Sequence, residues 1–340
     1  MSAPIATVGV IVNPHAGKDI RRLVSAAGHT SDSVKIGIMR RAVAGAIEQG
    51  AERVVMSVDT HHLAERATEG LDGPIEFVES PQTGSHLDTV AAGNDMLKAQ
   101  AGAVIVLGGD GTCRDVANGW PDAPLIAIST GTNNVFPSSV DGTTAGVAAA
   151  LVALRQVPIE LVGLQAKRVA IHIDDPRKSG PLDEYALVEA AQIDTKFVGA
   201  RAVSDPSSIR WVLAAIASPS TTGLASIAGR IHPVDRTEAG GVLIRLGPGG
   251  RRVRVPLAPG TFATLNVAHV QPLSLSETVS LPSGGVLAYD GERNTPVSSD
   301  ATITASIEQS GPHMIDVEAT LLAAARDHRF DTPRKDPHGD

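Results

Sequence analysis

One cysteine in 340 residues, Cys113, excludes an internal disulfide and a cysteine-based zinc site, and it agrees with a reducing compartment. Aromatic residues make up 3% of the chain and the net charge is −8, so neither the stacking platform nor the basic surface of a nucleic-acid binder is present. No stretch reaches the about eighteen uninterrupted apolar residues of a membrane span. The start, Met1-Ser2-Ala3-Pro4, lacks the charged and apolar regions of a signal peptide. These absences lead to the expectation of a soluble, cytoplasmic protein with no nucleic-acid partner and no stable membrane association. What is present is 42% apolar content over 340 residues, enough for cores in two domains of ordinary size.

The chain is organised around Val104-Ile105-Val106-Leu107-Gly108-Gly109-Asp110-Gly111-Thr112. Ala103 to Leu107 is an unbroken apolar run that suits a strand covered on both faces, and Val116, Ala117 and Trp120 follow at helical spacing. The glycines therefore occupy a turn from the end of a strand into a helix, where open α/β sheets bind their ligands. Glycine lets a phosphate approach backbone N–H groups closely, and the helix N-terminus adds partial positive charge. A carboxylate at Asp110 beside phosphate is repulsive unless it holds a metal ion or takes a proton from an attacking hydroxyl. Its structural alternative is a cap on the helix.

Strand and helix patterns alternate on both sides of this turn. Thr7 to Val12 reads as a buried strand that ends in Asn13-Pro14-His15-Ala16-Gly17-Lys18-Asp19, a turn whose spacing is wrong for a Walker A loop. Ile36 to Gly50 is an amphipathic helix, Arg53 to Val58 a strand, His61 to Glu69 a helix, Pro74 to Val78 a short strand and Leu87 to Ala99 a helix. Pro124 to Ile128 is another strand, leading into the polar loop Ser129-Thr130-Gly131-Thr132-Asn133-Asn134-Val135-Phe136-Pro137. The pattern predicts a doubly wound, mostly parallel sheet with helices on both faces over residues 1–155.

Beyond Leu154 the runs shorten. Gln165 to Asp174, Tyr185 to Ile193, Gly241 to Leu246, Arg251 to Val255 and Thr261 to Val267 predict a mainly antiparallel β domain over 156–328, with one helix at Ser207 to Ala217. Val286 to Glu292 and Thr302 to Glu308 read as strand-like and Asp316 to Asp327 as a helix returning to the first domain, with 329–340 a disordered tail. The functional site is expected in the cleft between the domains. His61-His62 and His172-x-Asp174 lack a third ligand at metal spacing and read as surface residues, so no protein-only metal site is expected. Cys113 reads as a small buried filler.

Three motifs now stand in order: the Asn13-Pro14-x-Ala16-Gly17-Lys18-Asp19 turn, Gly108-Gly109-Asp110-Gly111-Thr112, and the late Asp290-Gly291-Glu292. Together with the α/β-then-β order they resemble the superfamily of NAD kinases and diacylglycerol or sphingosine lipid kinases. NPHAGKDIRRLV at 13–24, GGDGTCRD at 108–115, GTNNVFP at 131–137 and LAYDGER at 287–293 look most like its ATP-NAD kinase-like, acetoin-catabolism protein X (AcoX) branch.

The resemblance implies that Gly108, Gly109, Gly111 and Thr112 lie against nucleotide phosphates. Asp110 is the implied functional carboxylate, activating the acceptor hydroxyl or organising Mg²⁺ around the phosphates. It makes Asp290 and Glu292 further catalytic candidates, and places Asn13, Gly17, Lys18, Gly131, Thr132, Asn133 and Asn134 at the nucleotide. For Asp290 and Glu292 the alternative is a hairpin turn, since Asp-Gly is itself a strong turn signal.

The implied activity is transfer of a phosphoryl group from ATP with Mg²⁺, or from polyphosphate, to a hydroxyl of a nucleotide-like acceptor, with NAD converted to NADP as the first choice. Dimers or tetramers are common among such relatives, so a homo-oligomer is expected. The loop at 129–137 departs from the NAD kinase pattern and resembles the PxGTGND loop of lipid kinases, with Asn134 where the aspartate would be. A lipid kinase and a catalytically silent nucleotide-binding regulator therefore stand as alternatives.

Overall fold

A computed structural model describes residues 5–17, 30–131, 134–194, 206–291 and 293–331. The amino-terminal part alternates as predicted through β1 (Thr7–Val12), α1 (Asp32–Glu48), β2 (Arg53–Ser57), α2 (Leu63–Thr68), β3 (Ile75–Val78), α3 (His86–Lys98), β4 (Ala103–Gly108), α4 (Asp110–Gly119) and β5 (Pro124–Ser129). A further helix that the sequence pattern does not announce follows, α5 (Gly142–Ala153). After α6 (Ile159–Val162) come β6 (Gly163–Gln165), β7 (Arg168–Asp174), β8 (Leu182–Ala186), β9 (Glu189–Ile193), β10 (Ile209–Ala214), α7 (Ala225–Ile231), β11 (Gly241–Ala258) and β12 (Thr261–Leu273). The chain closes with β13 (Val279–Leu281), β14 (Val286–Tyr289), β15 (Arg293–Pro296), β16 (Thr302–Glu308), β17 (His313–Ile315) and α8 (Val317–Arg326).

The first sheet has the order β3-β2-β1-β4-β5-β17-β6, parallel except for β6. Strand order reverses between β1 and β4, which makes their carboxyl ends the switch point where such sheets open a crevice. One face packs Val10, Ile105 and Ile126 against Met39 and Val43 of α1 and Leu151 of α5. The other packs Val104, Val106 and Leu125 with Val116 of α4, and Leu187, Val188 and Ile216 reach this core from the β-rich part. At the end of the chain, β17 pairs with β5 and α8 packs on α5, so the carboxy-terminal segment returns to the first sheet.

The α1–α5 crossing is a backbone-to-backbone contact. A Cβ on Gly146 would sit 1.9 Å from Ala42 O, and one on Gly142 would sit 2.3 Å from Ile38 O. Gly146→Ala must push the helices apart and is expected to destabilise the fold by about 1–3 kcal/mol, read as a lowered denaturant midpoint. An unchanged midpoint would show that the crossing yields freely.

The β-rich part is two antiparallel sheets, β12-β11-β10-β9-β14-β15 and β13-β16-β7-β8. Their facing sides bury Ile171, Trp211, Leu213, Leu243, Leu287 and Ile303 in one core. The outer face of the six-stranded sheet packs Val212, Val242 and Ile244 on Ile227 and Ala228 of α7.

The helix expected at Ser207 to Ala217 is instead strand β10, inside the six-stranded sheet. Trp211 and Leu213 point into one core while Val212 and Ala214 point into another. A strand buried on both faces is continuously apolar, and periodicity cannot distinguish it from a buried helix. The expected tail lies outside the described residues from 332 onward.

Candidate functional site

Three loops leave the carboxyl ends of β1, β4 and β5 and meet at the switch point. After β1, Asn13 N–H donates to Leu107 O at 3.1 Å, and its side-chain Oδ1 accepts from the N–H groups of His15 (2.9 Å) and Ala16 (3.2 Å). Asn13 Nδ2 donates to Thr112 Oγ1 at 3.0 Å, which ties the first loop to the glycine motif. Thr130 N–H donates to Gly108 O at 3.1 Å, and Asn134 Nδ2 donates to Ser129 Oγ at 2.8 Å, which ties in the third.

The glycines permit this convergence. Gly17 has φ +78° and a Cβ there would lie 2.6 Å from Thr130 O, while one on Gly108 would lie 2.4 Å from the Thr112 side chain. Gly109 is the N-cap of α4 and brings no side-chain cap, so the helix start depends on other partners for its first-turn N–H groups.

Asp110 opens α4 and is 8% exposed. Its carboxylate accepts from Val135 N–H at 3.0 Å and from Phe136 N–H at 2.8 Å, so it holds the third loop in place. Arg236, from the β-rich part, donates to Val135 O at 3.1 Å, so that residue is gripped from two sides, by Asp110 and by Arg236.

Asp290 is tied to α4 through Arg114, one helical turn past Asp110. It and Gly291 have φ of +48° and +71° in the β14–β15 hairpin, the Asp-Gly turn reading of the sequence. The Asp290 side chain is entirely buried; its oxygens accept from Val188 N–H at 2.8 Å and Leu187 N–H at 3.1 Å, and the guanidinium of Arg114 lies 3.6 Å away. Arg114 also donates to Tyr289 O at 2.9 Å and Asp115 Oδ1 at 3.3 Å. Burial pushes the Asp290 carboxyl above the usual range, opposed by Arg114 and by the two N–H donors. Cys113 is completely buried, and burial together with Asp110, Asp290 and Asp115 raises its thiol well above the ordinary value, which leaves it an inert filler.

Of the residues singled out in the sequence, Asn13, Gly17, Gly108, Gly109, Asp110, Gly111, Thr112, Gly131 and Asn134 belong to these three loops. Asp290 joins through Arg114 and the strand ends behind α4. Lys18, Thr132, Asn133 and Glu292 lie outside the described residues. His61 pairs with Asp32 at 3.1 Å, and His172 pairs with Asp183 rather than with Asp174. No group of three or more His, Cys, Asp or Glu is placed to hold a metal ion among the described residues. None of their helices is long and apolar enough to cross a membrane.

Several supporting residues escaped the sequence reading. Lys35 is fully buried and its Nζ donates to Asn13 O (3.0 Å) and Pro14 O (2.7 Å), clamping the first loop. The available signal was its place on the apolar stripe of α1, four residues before Met39. Lys167, 1% exposed, holds Asp235 O (3.0 Å) and Gly240 O (2.8 Å) and so steadies the segment that carries Arg236.

Burial lowers the Lys167 pKa from 10.5 to about 8, against the pull of Glu238 and Asp235. Between pH 8 and 10.5 the unfolded chain therefore binds more protons at this residue, and its contribution to stability rises with pH. Lys167→Met is expected to remove that rise from a series of denaturant midpoints across the window. A variant that keeps the wild-type slope would contradict the buried-amine assignment.

The chain matches two family models, the ATP-NAD kinase N-terminal domain over residues 8–157 and the acetoin catabolism protein X C-terminal domain over 167–310. It is 35% identical to the acetoin catabolism protein X of Cupriavidus necator, over 96% of this chain and 95% of that one. An uncharacterized protein of Archaeoglobus fulgidus is 33% identical over 38% of this chain and 36% of its own length. Among solved structures, yeast NADH kinase complexed with NADH superposes with a TM-score of 0.55 at 13% identity, covering 98% of this chain and 90% of that one. The chain thus has the NAD kinase-like fold, and by its 35% identity with the Cupriavidus protein over nearly the full length of both it belongs to the acetoin catabolism protein X family.

Proposed function

We propose that the protein transfers a phosphoryl group from ATP to a hydroxyl of a nucleotide-like acceptor, with NAD the first candidate and NADP the product. The observation that carries this reading is the convergence of three strand-end loops at the sheet's switch point around one carboxylate, Asp110. The match to the ATP-NAD kinase N-terminal domain over residues 8–157 supports a kinase of this type. We assign residues 1–155 to a nucleotide-binding unit and 156–328 to a β-rich unit whose last helix returns to it.

In this mechanism the start of α4, with uncapped Gly109, receives the donor phosphates on backbone N–H groups. Asp110, oriented by Val135 and Phe136, accepts the proton of the attacking hydroxyl. The acceptor oxygen then bonds to the γ-phosphorus as the bond to ADP breaks. Gly108, Gly111, Thr112, Asn13, Gly17, Lys18, Gly131, Thr132, Asn133 and Asn134 line the nucleotide. Because its carboxylate is enclosed, Asp290 acts as a positioning residue that holds Leu187, Val188 and Arg114 against α4, and Glu292 follows it as a candidate for direct contact.

Magnesium sites of kinases use one or two carboxylates together with substrate phosphates, and Asp110 supplies one such carboxylate. When bound with the donor, Mg²⁺ would neutralise charge on the phosphates. A cytoplasmic homo-oligomer completes the proposal, with light scattering on the purified chain as its check.

The test is mass-spectrometric detection of products from Mg²⁺, ATP and NAD. NADP formed in proportion to enzyme supports the reading. Absence of NADP with phosphorylation of a lipid alcohol instead would move the chain to the lipid-kinase class, and ATP binding without any product to the silent regulators.

A further inference from the structure

A cavity of about 880 Å³ opens at the far end of the six-stranded sheet from Asp290. Val286, on its wall, begins β14, and Asp290 follows the end of that strand. Four residues at about 3.3 Å each separate them by roughly 13 Å, so the cavity is distinct from the switch-point loops.

Its wall carries Arg177, Arg210 and Arg245 against a single acidic residue, Asp194, on a chain whose net charge is −8. Arg210 is paired with Asp194, and Arg177 with Asp300 at 3.1 Å. Arg245 is different. Its Nη2 donates to Ser280 O at 3.3 Å, its Nε is buried without a partner, and no carboxylate pairs with it among the described residues.

Gln192 lines the same cavity and is 3% exposed. Its Nε2 donates to Ser283 O at 2.8 Å and Gly284 O at 2.6 Å, which settles the orientation of the amide. Its Oε1 is a buried acceptor with no hydrogen-bond partner among the described residues. Leaving such atoms unsatisfied is costly, and structures that keep them usually give them a use. Leu246, Val286 and Val297 supply apolar wall between the two polar positions.

We propose that this cavity binds a small organic anion, a carboxylate or phosphate monoester that also carries a hydroxyl or amine. The anion pairs with Arg245 and the rim arginines, the hydrogen-bond donor satisfies Gln192 Oε1, and the organic body lies on the apolar wall. A guanidinium with several unused donors in a fork suits carboxylate and phosphate alike, so the two sources share one chemistry. The site goes beyond the kinase reading and does not rest on it.

The test is titration of the full chain by calorimetry and ligand-observed NMR with mandelate, phosphoethanolamine and inorganic phosphate. Mandelate presents a carboxylate with a hydroxyl, phosphoethanolamine a phosphate with an amine, and inorganic phosphate charge alone. At least one organic anion should bind with a Kd at or below about 1 mM. Arg245→Met should weaken it about tenfold or more, Arg210→Ala should weaken it less, and Asp110→Asn should leave it unchanged. Arg210 is exposed, so its variant keeps the test valid if Arg245→Met fails to fold. The proposal is overturned if neither organic anion binds, if inorganic phosphate binds as well as both, or if binding is indifferent to the two arginine variants.

Discussion

Asp110→Asn is expected to lower kcat by about 10²–10⁴, the range for loss of a general base. The substitution removes the proton acceptor and also turns an amide NH₂ toward one of two backbone donors. Val135 and Phe136 N–H both point at the carboxylate, so one of them loses a partner. Release of that grip adds a stability loss of about 1–3 kcal/mol, and the loop carrying Asn134 shifts. Asp110→Glu separates the two effects, since it keeps the acceptor chemistry and misplaces it by a methylene. A kcat loss in Asp110→Asn alone, with similar melting in both variants, assigns the carboxylate to chemistry. Wild-type turnover in Asp110→Asn would leave it a loop anchor.

Asp290→Ala should be the most destabilising substitution where the β-rich part meets α4. It strips Arg114 of a carboxylate 3.6 Å away in a setting where both side chains are nearly or wholly buried, and it leaves Leu187 and Val188 N–H without their acceptor. Breaking a buried pair by removing one member costs about 3–5 kcal/mol, which for units of this size lowers Tm by on the order of 10 °C. Arg114→Met should be harmful by itself, and the double variant should lose less than the sum, because each single change removes one side of the same buried pair. A coupling below about 0.5 kcal/mol in that cycle would show that Asp290 acts through the N–H donors alone.

The sequence exposed the parts of the fold that depend on local rules. Alternation of apolar runs with helical spacing located β1 through β5 to within a few residues, and the glycine turn after Leu107 marked the switch point, whereas the small-residue helix α5 carried no clear stripe and was not read. The failures share a physical cause, since each depends on what lies across the chain. β10 read as a helix because two different cores cover its two faces. The three-residue β17 carries no pattern of its own and exists because β5 offers it an edge.

The same holds at the site. Asn13, Gly108 and Asp110 were legible from their motifs, whereas Lys35, Lys167 and Arg236 act on carbonyls distant in sequence, a partnership that composition cannot announce. The Asp-Gly pair at 290–291 was legible twice over, as a turn and as a family motif. The structure gives it the turn geometry together with a buried tie to Arg114.

Phosphoryl transfer by a site built on Asp110 is tested by following the phosphoryl group itself. The purified chain is incubated with Mg²⁺, NAD and ATP labelled in its γ-phosphoryl group, beside Asp110→Asn shown to be folded. Label is expected in NADP with the wild type and none above background with the variant. Equal labelling by both proteins, or label appearing only in inorganic phosphate, would contradict it.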